Sequence, residues 1–138
     1  MRKILIIDDE PDLKNILVQN FKSENWDAMG CESAKAALEL ISSFKPDVII
    51  SDITMPTMTG LQMLKVLEGN SSNIPVILLT GYSDFQKIRS AWDAGAFELL
   101  DKPFKMNILL EIANNAFQHG TEYVSSARKR FLNVSKLD

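Results

Sequence analysis

Three aspartates carry the first chemistry this sequence offers. Asp8 and Asp9 stand side by side after the apolar run KILII (residues 3–7), and Asp52 directly follows a second run, DVIIS (47–51). Two like unit charges about 4 Å apart cost roughly 4 kcal/mol at an effective dielectric of about 20, so carboxylates gathered in one place require a cation. An all-oxygen donor set suits a hard divalent ion, Mg²⁺ or Mn²⁺, held through one or two carboxylates with several waters retained. Ca²⁺ fits less well, because no Gly-centred acidic loop supplies its larger oxygen shell. Thr80 adds a hydroxyl at the end of PVILLT (75–80), and Lys102 adds an ammonium just before Pro103. A metal, an ammonium and a hydroxyl around one carboxylate are what a tetrahedral phosphoryl group needs. Asp52 can then act as a nucleophile and form an acyl phosphate.

These residues lie far apart in the chain, so the fold has to bring them together. KILII, DVIIS, PVILLT and FELL (97–100) are continuous apolar runs, the pattern of parallel strands covered on both faces. WDAMG (26–30) is a weaker, edge-like strand. Between the runs, apolar residues recur at helical spacing: Leu13, Ile16, Leu17 and Phe21 after Pro11; Ala34, Ala37, Leu38 and Ile41 after Ser33 as N-cap; Leu61, Leu64 and Leu67 after Gly60. Phe85, Ile88, Ala91 and Trp92 continue the series after Asp84, with Gly95 placed to end that helix. Ile108, Leu109, Ile112, Ala116 and Phe117 form the last clear stripe. Alternating strands and helices define an α/β fold, a doubly wound five-stranded parallel sheet of order 2-1-3-4-5. Ligands of such sheets sit beyond the carboxyl ends of the strands at the switch point, here between strands 1 and 3. Asp8, Asp9, Asp52, Thr80 and Lys102 all come at that end of their strands.

The bulk properties agree with one compact domain. At 46% apolar and 24% charged the composition is that of a globular protein, and a net charge of −3 argues against a nucleic-acid face spread over the whole surface. The single cysteine, Cys31, can form neither an intramolecular disulfide nor a thiolate metal site, and reads as a structural thiol. The apolar run at the N-terminus is too short for a signal peptide and no stretch is long enough to span a membrane, so a cytoplasmic setting is expected. Trp26, Trp92 and the methionines read as packing, with Met55, Met58 and Met63 near the loop after Asp52 as an adaptable apolar contact. His119 reads as a solvated residue at a helix end, and Glu10 as a first-turn complement to the helix dipole.

IIDDEP, ISDITMPTMTG, LLTGYSD and AGAFELLDKPF, in this order and spacing, resemble the receiver domain of two-component response regulators over about residues 1–118. The resemblance implies the flavodoxin-like receiver fold, with Asp52 as acceptor of a phosphoryl group from the phosphohistidine of a sensor histidine kinase or phosphotransfer protein. It implies Asp8 and Asp9 as the acidic pair holding Mg²⁺, and the main-chain carbonyl of Thr54 as a further metal ligand. Thr80 and Lys102 would clasp the phosphoryl oxygens, Lys102–Pro103 would be a cis peptide, and Gly81 would leave the site open. One position departs from the family pattern. Three residues before the lysine the family usually carries an aromatic ring, whose rotation follows the threonine; here Leu99 stands there. Leucine has no ring to swing, so the expectation is weaker coupling to the face of helix 4, strand 5 and helix 5, or a different route.

Residues 1–120 are expected to form the receiver unit and 121–138 a helical extension or linker. In the tail, Thr121 would cap a further helix with Tyr123, Val124, Ala127, Phe131 and Val134 on one stripe. That stripe would pack back on the receiver, pair with a second copy as a homodimer, or begin a linker. Arg128–Lys129–Arg130 reads as its wet side, and no direct nucleic-acid binding by residues 1–120 is expected. The downstream effector or output domain is left open by the sequence. The main alternative is a metal-dependent phosphohydrolase, which usually carries its two acids as DxD on strand 1 rather than adjacent. A flavin-binding domain is poorer, since its phosphate loop after strand 1 would be rich in Ser, Thr and Gly rather than acids.

Overall fold

The computed structural model describes the backbone of residues 1–136 and their side chains apart from those of residues 82, 83 and 128–136. Five strands, β1 (Lys3–Ile7), β2 (Asp27–Cys31), β3 (Val48–Asp52), β4 (Val76–Thr80) and β5 (Glu98–Asp101), form one parallel sheet of order β2-β1-β3-β4-β5. This is the expected doubly wound order. The three central strands are buried almost throughout, because helices cover both faces; this is why their sequences are unbroken apolar runs rather than alternating ones. Leu5, Ile7, Ile49 and Leu78 face one layer, with Ala37, Met63 and Leu64; Ile4, Ile6, Ile50, Ile77 and Leu79 face the other, with Leu17, Phe21, Leu109 and Ala113.

The helices begin where local chemistry provides for their free N–H groups. Helix α1 (Pro11–Ser23) has proline in its first turn, where the missing N–H is no loss. In α2 (Ala34–Phe44), the Ser33 side chain accepts from the Ala36 N–H at 3.1 Å. Helix α3 (Gly60–Gly69) starts from a capping box of Thr59 and Gln62 that the sequence reading passed over. Gly60 itself is obligatory: a Cβ there would collide with the carbonyl oxygen of Asp52. The helix thereby seats directly behind the end of β3.

Three expectations about helices need correction. Ile16 of the α1 stripe is 55% exposed, while Leu17 and Phe21 are buried. The segment from Phe85 to Trp92 is two elements, a 3-10 turn (Tyr82–Lys87) and the short helix α4 (Ile88–Asp93). Of its expected stripe only Ala91 is buried, whereas Phe85 is 68% and Trp92 39% exposed. The last helix, α5 (Met106–Lys136), does not stop near Gly120, and Thr121 caps nothing. It runs 31 residues, about 46 Å at 1.5 Å per residue. Gly120 is there for close approach: a Cβ would lie 2.5 Å from Pro75 at the entry to β4. Just beyond it, Val124 is buried and the Tyr123 ring meets Phe97 edge-on at 5.4 Å, so the start of the extension packs on the body. His119 is exposed but mid-helix. The expectations for Arg128, Lys129, Arg130, Phe131 and Val134 lie outside the described side chains. Among the described residues no helix is long and apolar enough to cross a membrane.

Candidate functional site

The carboxyl ends of β1, β3, β4 and β5 form one rim. Asp8 follows β1 and is fully buried; its Oδ1 accepts from the Glu10 N–H at 2.9 Å, and its Oδ2 is buried with no hydrogen-bond partner. Asp9 beside it is exposed. Asp52, at the end of β3, is 7% exposed. Although β1 and β3 are more than forty residues apart in sequence, they are neighbours in the sheet, and one oxygen from each of Asp8, Asp9 and Asp52 lies within 4.8 Å of the others. The rim therefore gathers the three acids read from the sequence.

Lys102 follows β5 and reaches across to Asp52, its Nζ donating to Oδ2 at 2.8 Å. Burial pulls this amine's pKa down, but the hydrogen bond and charge of Asp52, helped by Asp8 and Glu10, outweigh it and hold the group above its ordinary value. Burial pushes the Asp8 carboxyl up, a rise that Asp52 reinforces and that the Glu10 N–H and Lys102 only partly oppose. An unpartnered buried carboxylate oxygen beside two more acids could hold a cation, and an all-oxygen set of this kind fits a hard divalent ion. The Lys102–Pro103 peptide is cis.

Thr54 and Thr80 each have hydrogen-bond partners that the sequence did not name. The Thr54 N–H points to Asp52 Oδ1 at 3.4 Å, and its hydroxyl donates to Asp84 Oδ1 at 2.7 Å while accepting from Lys87 Nζ at 2.8 Å. The other Asp84 oxygen accepts from the Gly81 N–H at 2.7 Å. This buried aspartate thus ties the loop after β3 to the loop after β4, a role the sequence reading missed. Its signal was present as an acid three residues after Gly81, the spacing of a first-turn cap. The hydroxyl of Thr80 donates at 2.7 Å to Asp101 Oδ1, a second residue the sequence reading did not single out. Gly81 is open, a Cβ meeting only Asp84 Oδ2 at 3.5 Å. Tyr82 lies outside the described side chains.

The remaining candidates are structural. Met55 and Met63 are buried in the core and Met58 packs against it. Trp26 is buried and packs edge-on against Phe21 and Phe117. Cys31 is buried, and that burial pushes its thiol pKa up, away from reactivity. Leu99 packs against the core layer that holds Leu78.

A doubly wound sheet with acids at its switch point and a lysine across from them defines a class of protein, and comparison with known families agrees. Residues 4–114 match the response regulator receiver domain, and the chain belongs to that family. Such receiver domains belong to the response regulators of two-component signalling. Among curated proteins the chain is 33% identical over 119 residues to the DNA-binding transcriptional regulator NtrC of Proteus hauseri, covering 86% of this chain and 25% of that protein. It is also 33% identical over 118 residues to the regulatory protein AtoC of Escherichia coli K12, covering 86% and 26%. The chain thus spans about a quarter of the length of these relatives. Among solved structures, a response regulator receiver domain protein from Clostridium thermocellum superposes with a TM-score of 0.82 at 29% identity, covering 86% of this chain and 96% of that one. The receiver domain of NtrX from Brucella abortus does so at 0.77 and 26%, covering 83% and 98%.

Proposed function

We propose that this chain is a phosphorelay receiver in which Asp52 accepts a phosphoryl group from the phosphohistidine of a sensor histidine kinase or phosphotransfer protein, and that the adduct switches partner binding. The observation that carries the reading is the buried, unpartnered Asp8 oxygen beside Asp52, with the Lys102 ammonium already on Asp52. Asp8, Asp9, Asp52 and the main-chain carbonyl of Thr54 would hold Mg²⁺ or Mn²⁺. When bound, the ion supplies charge neutralisation for the acids and the incoming phosphoryl oxygens.

In the transfer, an Asp52 oxygen attacks phosphorus. The new P–O bond forms as the P–N bond breaks, and the bonding pair leaves with the imidazole nitrogen of the donor. Lys102 holds positive charge against the transferred group, and Thr80 supplies a hydroxyl donor. Beside Lys102, Leu13, Ile16, Leu17, Phe104 and Met106 line an apolar cavity of about 350 Å³ between α1 and the segment after β5.

Residues 1–120 form the receiver unit in this reading, and 121–138 a helical extension through which an effector, an output domain or a second copy of the chain is engaged. The reading places the chain in the cytoplasm, with no nucleic-acid contact by residues 1–120. Acetyl phosphate with Mg²⁺ provides the test. One labile adduct is expected by mass spectrometry, absent in Asp52→Asn, with no turnover of general phosphate esters. Rapid ester hydrolysis would instead favour a metal-dependent phosphohydrolase, and an adduct that survives Asp52→Asn would refute the assignment.

A further inference from the structure

Thr80 and Asp101 are register partners on adjacent parallel strands, so their side chains stand on the same face of the sheet. A threonine hydroxyl has one proton, and an ionised carboxylate can only accept. The 2.7 Å bond from Thr80 Oγ1 to Asp101 Oδ1 therefore uses the only proton Thr80 has. While that bond stands, Thr80 cannot donate to an oxygen on Asp52. Asp101 is exposed and Thr80 is 1% exposed, so the carboxylate can swing into water more readily than the hydroxyl can lose a partner.

We propose that Asp101 is a positioning residue that holds the Thr80 hydroxyl away from the phosphorylation site until an anion on Asp52 competes for its proton. The inference rests on the receiver reading above and extends it to a residue that reading does not use. It also supplies a different route, the alternative to weaker coupling that Leu99 leaves open. With no ring to follow Thr80, the change reaching the outer face is a freed carboxylate. Asp101 lines a cavity of about 450 Å³ with Thr80, Gly81, Phe85, Ile88 and Lys102, so its release places an unpaired negative charge beside the exposed Phe85.

The test is a double-mutant cycle on beryllofluoride binding with Mg²⁺, read by nuclear magnetic resonance and titration. Asp101→Ala is expected to bind about threefold to tenfold more tightly than wild type, the range for removing one competing hydrogen bond. Asp101→Asn, a weaker acceptor, is expected to fall between them. In a Thr80→Ala background Asp101→Ala should change affinity by less than about twofold, since no hydroxyl remains to be held. Without metal or anion, the Thr80 methyl resonance should move in Asp101→Ala. The Phe85 and Ile88 amides should respond to beryllofluoride in wild type and much less in Asp101→Ala. Equal tightening with and without Thr80 would show mere removal of negative charge and overturn the proposal, as would no tightening at all. Failure of wild type and every variant to bind would instead defeat the Asp52 reading, and this inference with it.

Discussion

Asp8 ought to be a destabilising residue in the absence of metal and a stabilising one in its presence. Oxygens of Asp8 and Asp52 lie within 4.8 Å of each other, a separation at which two unit charges repel by about 3–4 kcal/mol at an effective dielectric of about 20. The Lys102 ammonium opposes this repulsion by more than Asp52 contributes, so what remains against the folded state is the burial of the unpartnered Asp8 oxygen, roughly 1–2 kcal/mol. Burial and Asp52 hold the Asp8 carboxyl above its ordinary value of 3.8. Above 3.8 the folded state therefore binds more proton than the unfolded chain, so stability falls as pH rises from there through the raised folded value. Asp8→Asn removes the charge and keeps an oxygen to accept from the Glu10 N–H. Urea unfolding followed by circular dichroism at neutral pH in EDTA should find Asp8→Asn more stable by about 1–2 kcal/mol, a gap that closes as the medium is acidified below the ordinary carboxylate value. Saturating Mg²⁺ should reverse the order, because an ion that binds only the folded state stabilises wild type and has lost a ligand in the variant. Lower stability of Asp8→Asn in EDTA, or an equal gain from Mg²⁺ in both proteins, would refute the reasoning.

Gly60→Ala drives a Cβ into the Asp52 carbonyl and should cost about 3 kcal/mol or more in urea unfolding, whereas Gly69→Ala, with open space around it, should be neutral or stabilising by up to about 1 kcal/mol. Thr57 is a β-branched residue at φ 70° in the loop after Asp52, so Thr57→Gly should raise the thermal midpoint, the relief being about 1 kcal/mol after the added chain entropy of glycine. Because the Lys102 amine is held above its ordinary 10.5, its pairing is fully present below that pH and lost as pH rises through the folded value. The stability difference between wild type and Lys102→Gln should then be constant at mildly alkaline pH and shrink above about pH 10.5. A difference that grows there would contradict the pairing.

The strands and their order were legible in the amino-acid sequence because burial on both faces demands unbroken apolar runs, and right-handed crossovers leave few ways to arrange them. The same logic put Asp8, Asp9, Asp52 and Lys102 at one rim, since each follows a strand of a parallel sheet. The exposed Ile16, Phe85 and Trp92 were misread because periodicity marks an apolar face without saying what covers it. A helix end was expected at His119 and a new cap at Thr121, yet only the position of Pro75 shows why Gly120 continues the helix there. Partners of side chains were beyond the sequence altogether. That Asp84 joins two loops, and that Asp101 takes the Thr80 proton, depends on contacts under 3 Å between residues about 20 to 30 positions apart. Composition and spacing determine which elements form and which ends meet, because hydrophobic burial is non-directional; a hydrogen bond is directional, and only the folded backbone decides where it points.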